Sequence, residues 1–354
     1  MIIKHDLLQL FTKFIKATEN GRRLKQNGHR VSAGTIKNYH NTLRLLTNFK
    51  SAKNFDLRMH EIKGNNKREF SALKKYNQSF YTKFCKYMFD DLKVMNNYVG
   101  QNIKTIRSFL NWCMYEQGLN VGFFHKKFYV LHEEPPIITL SIEQLNFLIF
   151  DQAFHEKLKQ HLQVAKDIFI IGCVTALRIS DIQRLKRQHF IVRDGLYYLN
   201  IASKKTGYES LIKLPDFAVA ILKKYRGTPK QLLPVPILCR FNVRLKQICE
   251  VAGWTWPVIK QRKKGNKTID LKLAYNKPYR FCDLITSHIM RRSCITNMLV
   301  SGMPEHVVKQ VSGHTSDSKS FSRYVSLAQK IMDTEIDKIH VMLKPVEKLS
   351  EKLH

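Results

Sequence analysis

Four separated segments in the C-terminal half of the sequence combine side chains that suit an anionic substrate. They are Thr-Ala-Leu-Arg-Ile-Ser-Asp at 175–181, Ser-Lys-Lys-Thr-Gly at 203–207, Thr-Ser-His-Ile-Met-Arg-Arg at 286–292, and Ser-Gly-His-Thr-Ser at 312–316, followed by Phe-Ser-Arg-Tyr-Val at 321–325. In the third segment His288 and Arg291 are three residues apart at the start of a predicted helix, so both project from one face. A helix start also stabilises anions through its dipole and its N–H groups.

Each segment taken alone also fits an ordinary structural role. Arg178 follows a buried helix, and Ser180 with Gln183 predicts a capping box for the next helix, which would leave the arginine at an exposed turn. Asp181 could simply complement the dipole of that second helix. Lys205 lies at the tip of a predicted hairpin, where a solvated lysine is common. The histidines and the tyrosine could likewise be packing residues of helices.

The order and spacing of these residues is more distinctive than any one of them. It resembles the tyrosine recombinase (phage integrase) family, and most of all the integrases of mobile elements, at six positions: Arg178, Lys205, His288, Arg291, His314 and Tyr324. The interval of 23 residues from Arg291 to His314 is usual in the family. Ala-Leu-Arg-Ile-Ser-Asp and Ser-Gly-His look like two of its signature boxes. The resemblance covers residues 137–342 and, more weakly, 30–128.

Two features depart from the family pattern. Tyr324 follows His314 by ten residues where nine is commonest, which predicts a nucleophile helix displaced by one residue. The interval from Lys205 to His288 is long, and the surplus is a basic hairpin, Lys-Gln-Arg-Lys-Lys-Gly-Asn-Lys, at 260–267. That insert is either a solvated loop or an additional contact to a DNA backbone.

The resemblance implies the chemistry of strand cleavage. Arg178 and Arg291 would hold the nonbridging phosphate oxygens, because a planar guanidinium binds two oxygens at once and keeps its charge. Tyr324 would attack phosphorus and become a covalent phosphotyrosine. This intermediate stores the energy of the broken bond, so no ATP is needed.

The resemblance also assigns the remaining polar residues. Lys205 would protonate the leaving 5′ oxygen, with Lys204 as the competing candidate. His288 would assist as acid or base, and His314 would hydrogen-bond the scissile phosphate or its nucleophile. Asp181 would orient these groups from behind. No metal or other cofactor is expected, because the histidines and acids never fall into ligand spacing such as HExxH.

The implied function is that of a site-specific DNA recombinase that cuts and rejoins strands through a 3′-phosphotyrosine, for integration or excision of a mobile element. The alternatives are a type IB topoisomerase-like enzyme and a non-catalytic DNA-binding accessory protein on the same fold. The implied partners are double-stranded attachment sites, with a homo-tetramer on synapsed DNA and a monomer free in solution. No membrane association is expected, and the location would be cytoplasmic and nucleoid-associated.

Composition agrees with a polyanionic partner. The 354 residues include 60 Lys and Arg against 28 Asp and Glu, for a formal charge of +32. This excess is divided equally between residues 1–130 and 131–354, so one partner would contact both halves. A hydrophobic content of 44% excludes a disordered basic tail. The seven cysteines lack a CxxC motif and indicate reduced core thiols.

The elements that must position these residues point to two domains, mainly α with a small antiparallel β-sheet. We expect a helical, SAM-like core-binding (clamp) domain at 1–130, a linker at 131–139, a mixed α/β catalytic domain at 140–343 and a tail at 344–354. The prolines in His-Glu-Glu-Pro-Pro at 132–136 mark the linker. Apolar residues at helical spacing predict four helices before it, one of them capped by Ser32.

Within the second domain, Val164 to Ala176 is apolar nearly all round and predicts a central buried helix. Residues 189–215 predict a three-stranded meander, 258–271 a second hairpin, and 287–339 helices broken near Gly302 and Gly313. The apolar stripe beyond Tyr324 would either pack on its own domain or dock on a neighbouring protomer. Candidates for contacts to DNA phosphates are Lys37, Arg44, Lys104, Arg107 and Lys204.

Overall fold

Helices make up most of the chain in the computed structural model, which describes residues 2–25, 27–64, 66–204, 207–225, 231–315 and 318–342. These residues divide into two compact units. The first unit contains the chain up to Pro135 together with Lys260–Leu271, and the second contains Pro136–Ile259 and the chain from Lys272 onward. The mainly helical fold with small antiparallel sheets confirms the predicted fold class. The domain limits at 130 and 140 stay a prediction.

The N-terminal part of the chain contains long amphipathic helices and a two-stranded sheet. Its elements are β1 Ile2–Asp6, α1 Leu7–Glu19, α2 Ala33–Ala52, β2 Arg58–Ile62, α3 Lys67–Lys86 and α4 Asn96–Tyr115. The helix α2 begins as predicted, because the Ser32 side chain accepts a hydrogen bond from the backbone N–H of Thr35. The helices enclose an aromatic core that includes Phe11, Phe14, Phe49, Phe84 and Phe109.

The strands β1 and β2 were not predicted. They pair antiparallel from Ile2 opposite Ile62 to Asp6 opposite Arg58. Each strand is five residues long and depends on a partner more than 50 positions away, so a local apolar pattern could not identify them.

The rest of the chain alternates helices with short strands. Its elements are α5 Ile142–Phe150, α6 Gln152–Lys157, α7 Gln160–Thr175, α8 Ile179–Ile182, β3 Phe190–Arg193, β4 Leu196–Ala202, β5 Glu209–Lys213, α9 Asp216–Lys224, α10 Leu238–Val251, β6 Pro257–Val258, β7 Lys260–Lys264, β8 Lys267–Leu271, β9 Tyr279–Arg280, α11 Phe281–Leu284, α12 Ser287–Val300, α13 Glu305–Ser312 and α14 Lys319–Met342. The predicted meander is present as β3-β4-β5, and the predicted hairpin is present as β7-β8.

The helix α7 is the predicted buried helix of the second unit, and it packs closely on α12. At Gly172 a Cβ atom would overlap the side chain of Met290, so glycine is needed for this approach. The helix ends at Ala176, which adopts the left-handed conformation with φ of +54° and is buried. Such a conformation is unfavourable for a residue other than glycine, so the surrounding packing must hold it.

The predicted capping box at Ser180 and Gln183 is wrong. The left-handed residue Ala176 ends α7, and Arg178 itself takes the N-cap position of the next helix in an extended conformation with φ of −73° and ψ of 148°. The helix α8 therefore begins at Ile179, and Ser180 lies inside its first turn. The consequence is that Arg178 is held at a defined junction between two helices.

Candidate active site

Arg178 reaches from the α7–α8 junction to the end of strand β4. Its Nη1 atom donates a hydrogen bond to the hydroxyl of Ser203 at 3.1 Å, and its side chain is half-buried. The partner is the first residue of the turn between β4 and β5. The contact therefore brings the first two of the four polar segments together, as the family resemblance implies.

Asp181 joins the same two segments from the buried side. Its carboxylate is 1% exposed and accepts hydrogen bonds from the backbone N–H of Lys204 at 2.8 Å and from Nη2 of Arg184 at 2.9 Å. Arg184 also donates to the carbonyl oxygen of Ala202 at 2.7 Å. These bonds fix the start of the β4–β5 turn relative to α8. Asp181 is thus a buried residue that supports the position of Lys204 and Arg184.

The predicted lysine, Lys205, lies outside the described residues. Its neighbour Lys204 is exposed. The described residues on either side are joined by bonds from the N–H of Ser203 to the carbonyl oxygen of Tyr208 and from the N–H of Gly207 to that of Ser203, both 2.8 Å. Gly207 has φ of +71°, a conformation that favours glycine.

The helix α12 carries the two residues of the third segment at different depths. His288 is exposed, whereas Arg291 is only 3% exposed. The side chain of Asn242 on α10 accepts a hydrogen bond from the N–H of Ser287 at 2.9 Å, which fixes the start of α12.

Arg291 is the centre of the site. Its Nη1 donates to the carbonyl oxygen of Ala176 at 2.9 Å, and its Nη2 lies 3.2 Å from the ring nitrogens of His314. Burial and then the positive charge of Arg178 lower the pKa of Arg291 to about 10, while Tyr324 acts in the opposite direction. The guanidinium is therefore still charged at neutral pH. These electrostatic effects also require Arg178 and Tyr324 to lie near Arg291.

Ser312 determines which nitrogen of His314 carries a hydrogen. The Ser312 hydroxyl has a single hydrogen, and it lies 2.6 Å from the carbonyl oxygen of Val308, which can only accept. The same hydroxyl oxygen is 2.8 Å from Nδ1 of His314, so it accepts the hydrogen of Nδ1. In the neutral ring Nε2 then carries the lone pair, and Nη2 of Arg291 lies equally far from both ring nitrogens.

Gly313 explains how His314 comes to this position. The residue ends α13 with φ of +60°, and a Cβ atom there would lie 3.3 Å from the ring of Tyr208, beside the β4–β5 turn. Glycine therefore serves both the left-handed helix end and the close approach of the turn. The Ser-Gly-His sequence has a physical reason at each of its three positions.

Tyr324 lies in the same site of the same chain. Its ring centre is 6.1 Å from that of His314, and the side chain is 6% exposed in an apolar cluster with Ala176 and Phe321. The displaced spacing does not remove the phenol from the arginine and histidine.

The DNA-binding candidates of the first unit differ in exposure. Lys37 and Arg44 are exposed on α2, and Lys104 is exposed on α4. Arg107 is half-buried, and its Nη1 lies 3.5 Å from the carbonyl oxygen of Phe128. Lys37, Arg44 and Lys104 are therefore more accessible to a ligand in solution than Arg107 is.

Sequence reasoning missed several polar partners of the site: Ser203, Arg184, Asn242 and Ser312. Ser203 and Asn242 bond residues 25 and 45 positions away, which no local pattern marks. Arg184 and Ser312 bond the nearby side chains of Asp181 and His314, but their spacing alone did not distinguish them from other polar residues. Among the described residues no group of three or more histidine, cysteine or acidic side chains could hold a metal ion. In the same part of the chain no helix is long and apolar enough to cross a bilayer.

Comparison with known proteins gives the same fold. A lambda integrase dimer bound to a COC′ core site has a TM-score of 0.56 and 14% identity over 91% of this chain and 77% of that chain. The XerH site-specific recombinase bound to palindromic difH substrate has a TM-score of 0.56 and 14% identity over 89% and 80%. The Tn1549 transposon integrase in complex with circular intermediate DNA has a TM-score of 0.54 and 14% identity over 91% and 94%. At such identities the likeness concerns the fold.

No curated protein matches the sequence. The family model described as the phage integrase family does match, over residues 152–330. This range is just over half of the chain and contains every residue of the candidate active site. The chain therefore belongs to the phage integrase family.

Proposed function

We propose that the protein is a site-specific DNA recombinase of the tyrosine type, which cuts and rejoins strands through a covalent 3′-phosphotyrosine. The observation that carries this proposal is the environment of Arg291. One buried guanidinium contacts His314 and is electrostatically coupled to Arg178 and Tyr324. Two cations, an imidazole and a phenol around one point suit a phosphodiester that is attacked by tyrosine.

The two arginines would stabilise the charge that grows on the phosphoryl oxygens. A guanidinium has five N–H groups, and Arg291 uses one toward Ala176 and one toward His314. Three remain beyond these two bonds, which is enough for a bidentate contact to phosphate. Arg178 uses one N–H toward Ser203 and would supply the second bidentate contact.

The chemical step balances without a cofactor. The Tyr324 oxygen forms a bond to phosphorus as the bond from phosphorus to the 5′ oxygen breaks. The phenol proton leaves to a base, for which His288 is the candidate by family resemblance, and the 5′ oxygen takes a proton from Lys205. The reverse step rejoins the strand, because the phosphotyrosine preserves the bond energy.

The partners follow from this chemistry. Double-stranded attachment sites of a mobile element are the substrate, and two such sites with four active sites call for a tetramer on DNA. The helix α14 presents exposed Ile336 and Ile339 beyond the nucleophile, which suits contact with a neighbouring protomer. The neighbours in fold include a lambda integrase tetramer bound to a Holliday junction, with a TM-score of 0.52. The DNA substrate implies a cytoplasmic, nucleoid-associated location.

Two other functions fit parts of the same site. A type IB topoisomerase-like enzyme would use the same nucleophile but would relax any supercoiled plasmid as a monomer. A non-catalytic accessory protein would bind DNA without forming a covalent adduct. The assembled set of Arg178, Arg291, His314 and Tyr324 favours catalysis over the second alternative.

The proposal is tested with nicked duplexes taken from the DNA that flanks the gene. A nick next to the cleavage site lets the 5′ product diffuse away and traps the covalent complex. We expect an adduct that survives SDS, depends on the flanking sequence and is lost in Tyr324→Phe. Adduct formation that persists in Tyr324→Phe would contradict the proposal, and relaxation of plasmids without an attachment site would favour the topoisomerase.

A further inference from the structure

The basic hairpin β7–β8 is not a solvated loop. Although its sequence neighbours Ile259 and Lys272 belong to the second unit, the hairpin itself belongs to the first. Its two-residue turn has Gly265 with φ of +59°, as a type II′ turn requires.

Two residues of the first unit hold the tip of the hairpin. The Asn96 amide donates to the carbonyl oxygen of Gly265 at 2.9 Å and accepts from its N–H at 2.7 Å. The Glu133 carboxylate accepts from the backbone N–H of Lys263 at 2.6 Å. Asn96 is buried, and an asparagine is needed because the same amide must both donate and accept.

Docking through backbone groups leaves the basic side chains of the hairpin available. Lys263 and Lys267 are exposed, although the backbone of Lys263 is bonded. Residues 260–271 contain five lysines and arginines and one acid, Asp270, which accepts a hydrogen bond from Gln261. The Glu133 carboxylate adds a second acid beside the hairpin, so the local charge remains strongly positive.

The start of α4 also bonds a polar group of α2, which carries exposed cations. On α2, Arg44 donates to Asn41 at 3.1 Å, and Asn41 donates to the hydroxyl of Tyr98 on α4 at 2.9 Å. Tyr98 is two residues from Asn96, which holds the hairpin tip. The contact from α2 and the hairpin tip are therefore both bonded to the first turn of α4.

We propose that the hairpin β7–β8 is a DNA-backbone-binding element docked onto α4, and that it extends the phosphate-contacting surface of the first unit through Lys263 and Lys267. This inference rests on the proposed function, since it takes duplex DNA as the partner. Phosphate contacts by lysine are independent of base sequence, so they stabilise the complex without selecting the site.

The test is the salt dependence of binding of the full-length protein to a non-specific duplex, measured by fluorescence anisotropy. Each lost phosphate contact lowers the slope of log K against log salt by about 0.9. We expect Lys263→Ala with Lys267→Ala to lower the slope by about 2 and the affinity near 0.1 M salt by about tenfold or more. The matched control is Lys74→Ala with Lys75→Ala, two exposed lysines on α3, which should change neither.

A second variant separates charge from docking. Asn96→Ala keeps every cation but frees the hairpin tip, so we expect weaker binding together with faster proteolysis at the β7–β8 turn. An unchanged slope in the double lysine variant would overturn the inference, as would a loss matched by the α3 control. The Tyr324-dependent adduct with the flanking DNA is measured in parallel, so that failure of the hairpin proposal is distinguished from failure of the proposed function.

Discussion

Arg291 lies 3.2 Å from both ring nitrogens of His314, although the two residues are 23 positions apart in the chain. The contact links α12 to the end of α13, and Arg291 in turn anchors on the carbonyl oxygen of Ala176 at the end of α7. One side chain thus joins three helices of the second unit. We therefore expect substitutions of Arg291 to affect both catalysis and the packing of these helices, so each rate is to be compared with a measurement of folding.

Replacing Arg291 with lysine should lower the rate of adduct formation by at least a hundredfold. A lysine keeps the charge but cannot bind Ala176, His314 and two phosphate oxygens together, because its ammonium group has three donors at one point. Loss of a positioned donor to a developing oxyanion typically costs 10²–10³ in rate. Single-turnover kinetics on the nicked duplex measure the effect.

The matched control is Arg240→Lys on the exposed face of α10, where we expect little change. Equal rates for wild type and Arg291→Lys would contradict the assigned role of the guanidinium. Circular dichroism of both variants checks that the helices remain intact.

Removing the hydroxyl of Ser312 should change the tautomer of His314. In Ser312→Ala the Nδ1 hydrogen loses its acceptor, so the Nε2-protonated form becomes competitive and the ring loses the hydrogen bond that holds it beside Arg291. The loss of one such hydrogen bond, about 1–1.5 kcal/mol, corresponds to a fall in cleavage rate of about tenfold. The ¹⁵N chemical shifts of the His314 ring report the tautomer directly.

Ser312→Thr keeps a hydroxyl at the same position and should restore both the shift pattern and most of the rate. A Ser312→Ala protein with the wild-type tautomer and rate would show that the serine only caps the helix.

Asp181 should contribute to both stability and activity. Asp181→Ala leaves the N–H of Lys204 and a guanidinium hydrogen of Arg184 without their buried acceptor, which should lower the free energy of unfolding by about 1–3 kcal/mol. The β4–β5 turn would also loosen, so adduct formation should slow. Urea denaturation and cleavage kinetics measure the two effects, and Asp333→Ala on the exposed side of α14 is the control.

His125 should make the first unit less stable in acid. Burial, followed by the charges of Lys126 and Arg107, lowers the pKa of His125 to about 4, and its Nε2 lies 2.6 Å from Oδ1 of Asn111. In the unfolded chain the His125 ring binds a proton below about pH 6.5, whereas in the folded protein it does so only below about pH 4. The contribution of His125 to the free energy of unfolding therefore rises from pH 4 to pH 6.5 and is constant above pH 6.5. The full effect is about 3 kcal/mol.

Urea denaturation of wild type and His125→Gln across this pH range isolates the contribution of His125, with the exposed His132→Gln as control. Identical pH dependence in wild type and His125→Gln would contradict this assignment.

The sequence predicted most helices because their apolar residues recur at helical spacing. It could not predict the pairing of Ile2 with Ile62, nor the docking of Gly265 on Asn96, since both depend on residues far apart in the chain. The hairpin itself was predicted from its turn residues. Its place in the first unit is a tertiary property that no local pattern contains.

In the candidate site, too, some features were predictable from the sequence and others were not. The order of Arg178, Arg291, His314 and Tyr324 indicated a common site, and the described contacts bring these residues together. The support given by Ser203 and Ser312 was not predictable, because serine is common and only its geometry distinguishes these two. The exposed position of His288 was not predictable either, since sharing a helix face with Arg291 does not determine how deeply a side chain is buried.

The central claim is that the Tyr324 oxygen becomes bonded to DNA. The most direct measurement is mass spectrometry of the trypsin- and nuclease-digested adduct formed on a nicked duplex. We expect the nucleotide remnant on the peptide that contains Tyr324, and we expect Tyr208→Phe, at the nearby turn, to form the adduct as the wild type does. A remnant on Tyr208 or on any other residue, with Tyr324 unmodified, would contradict the claim.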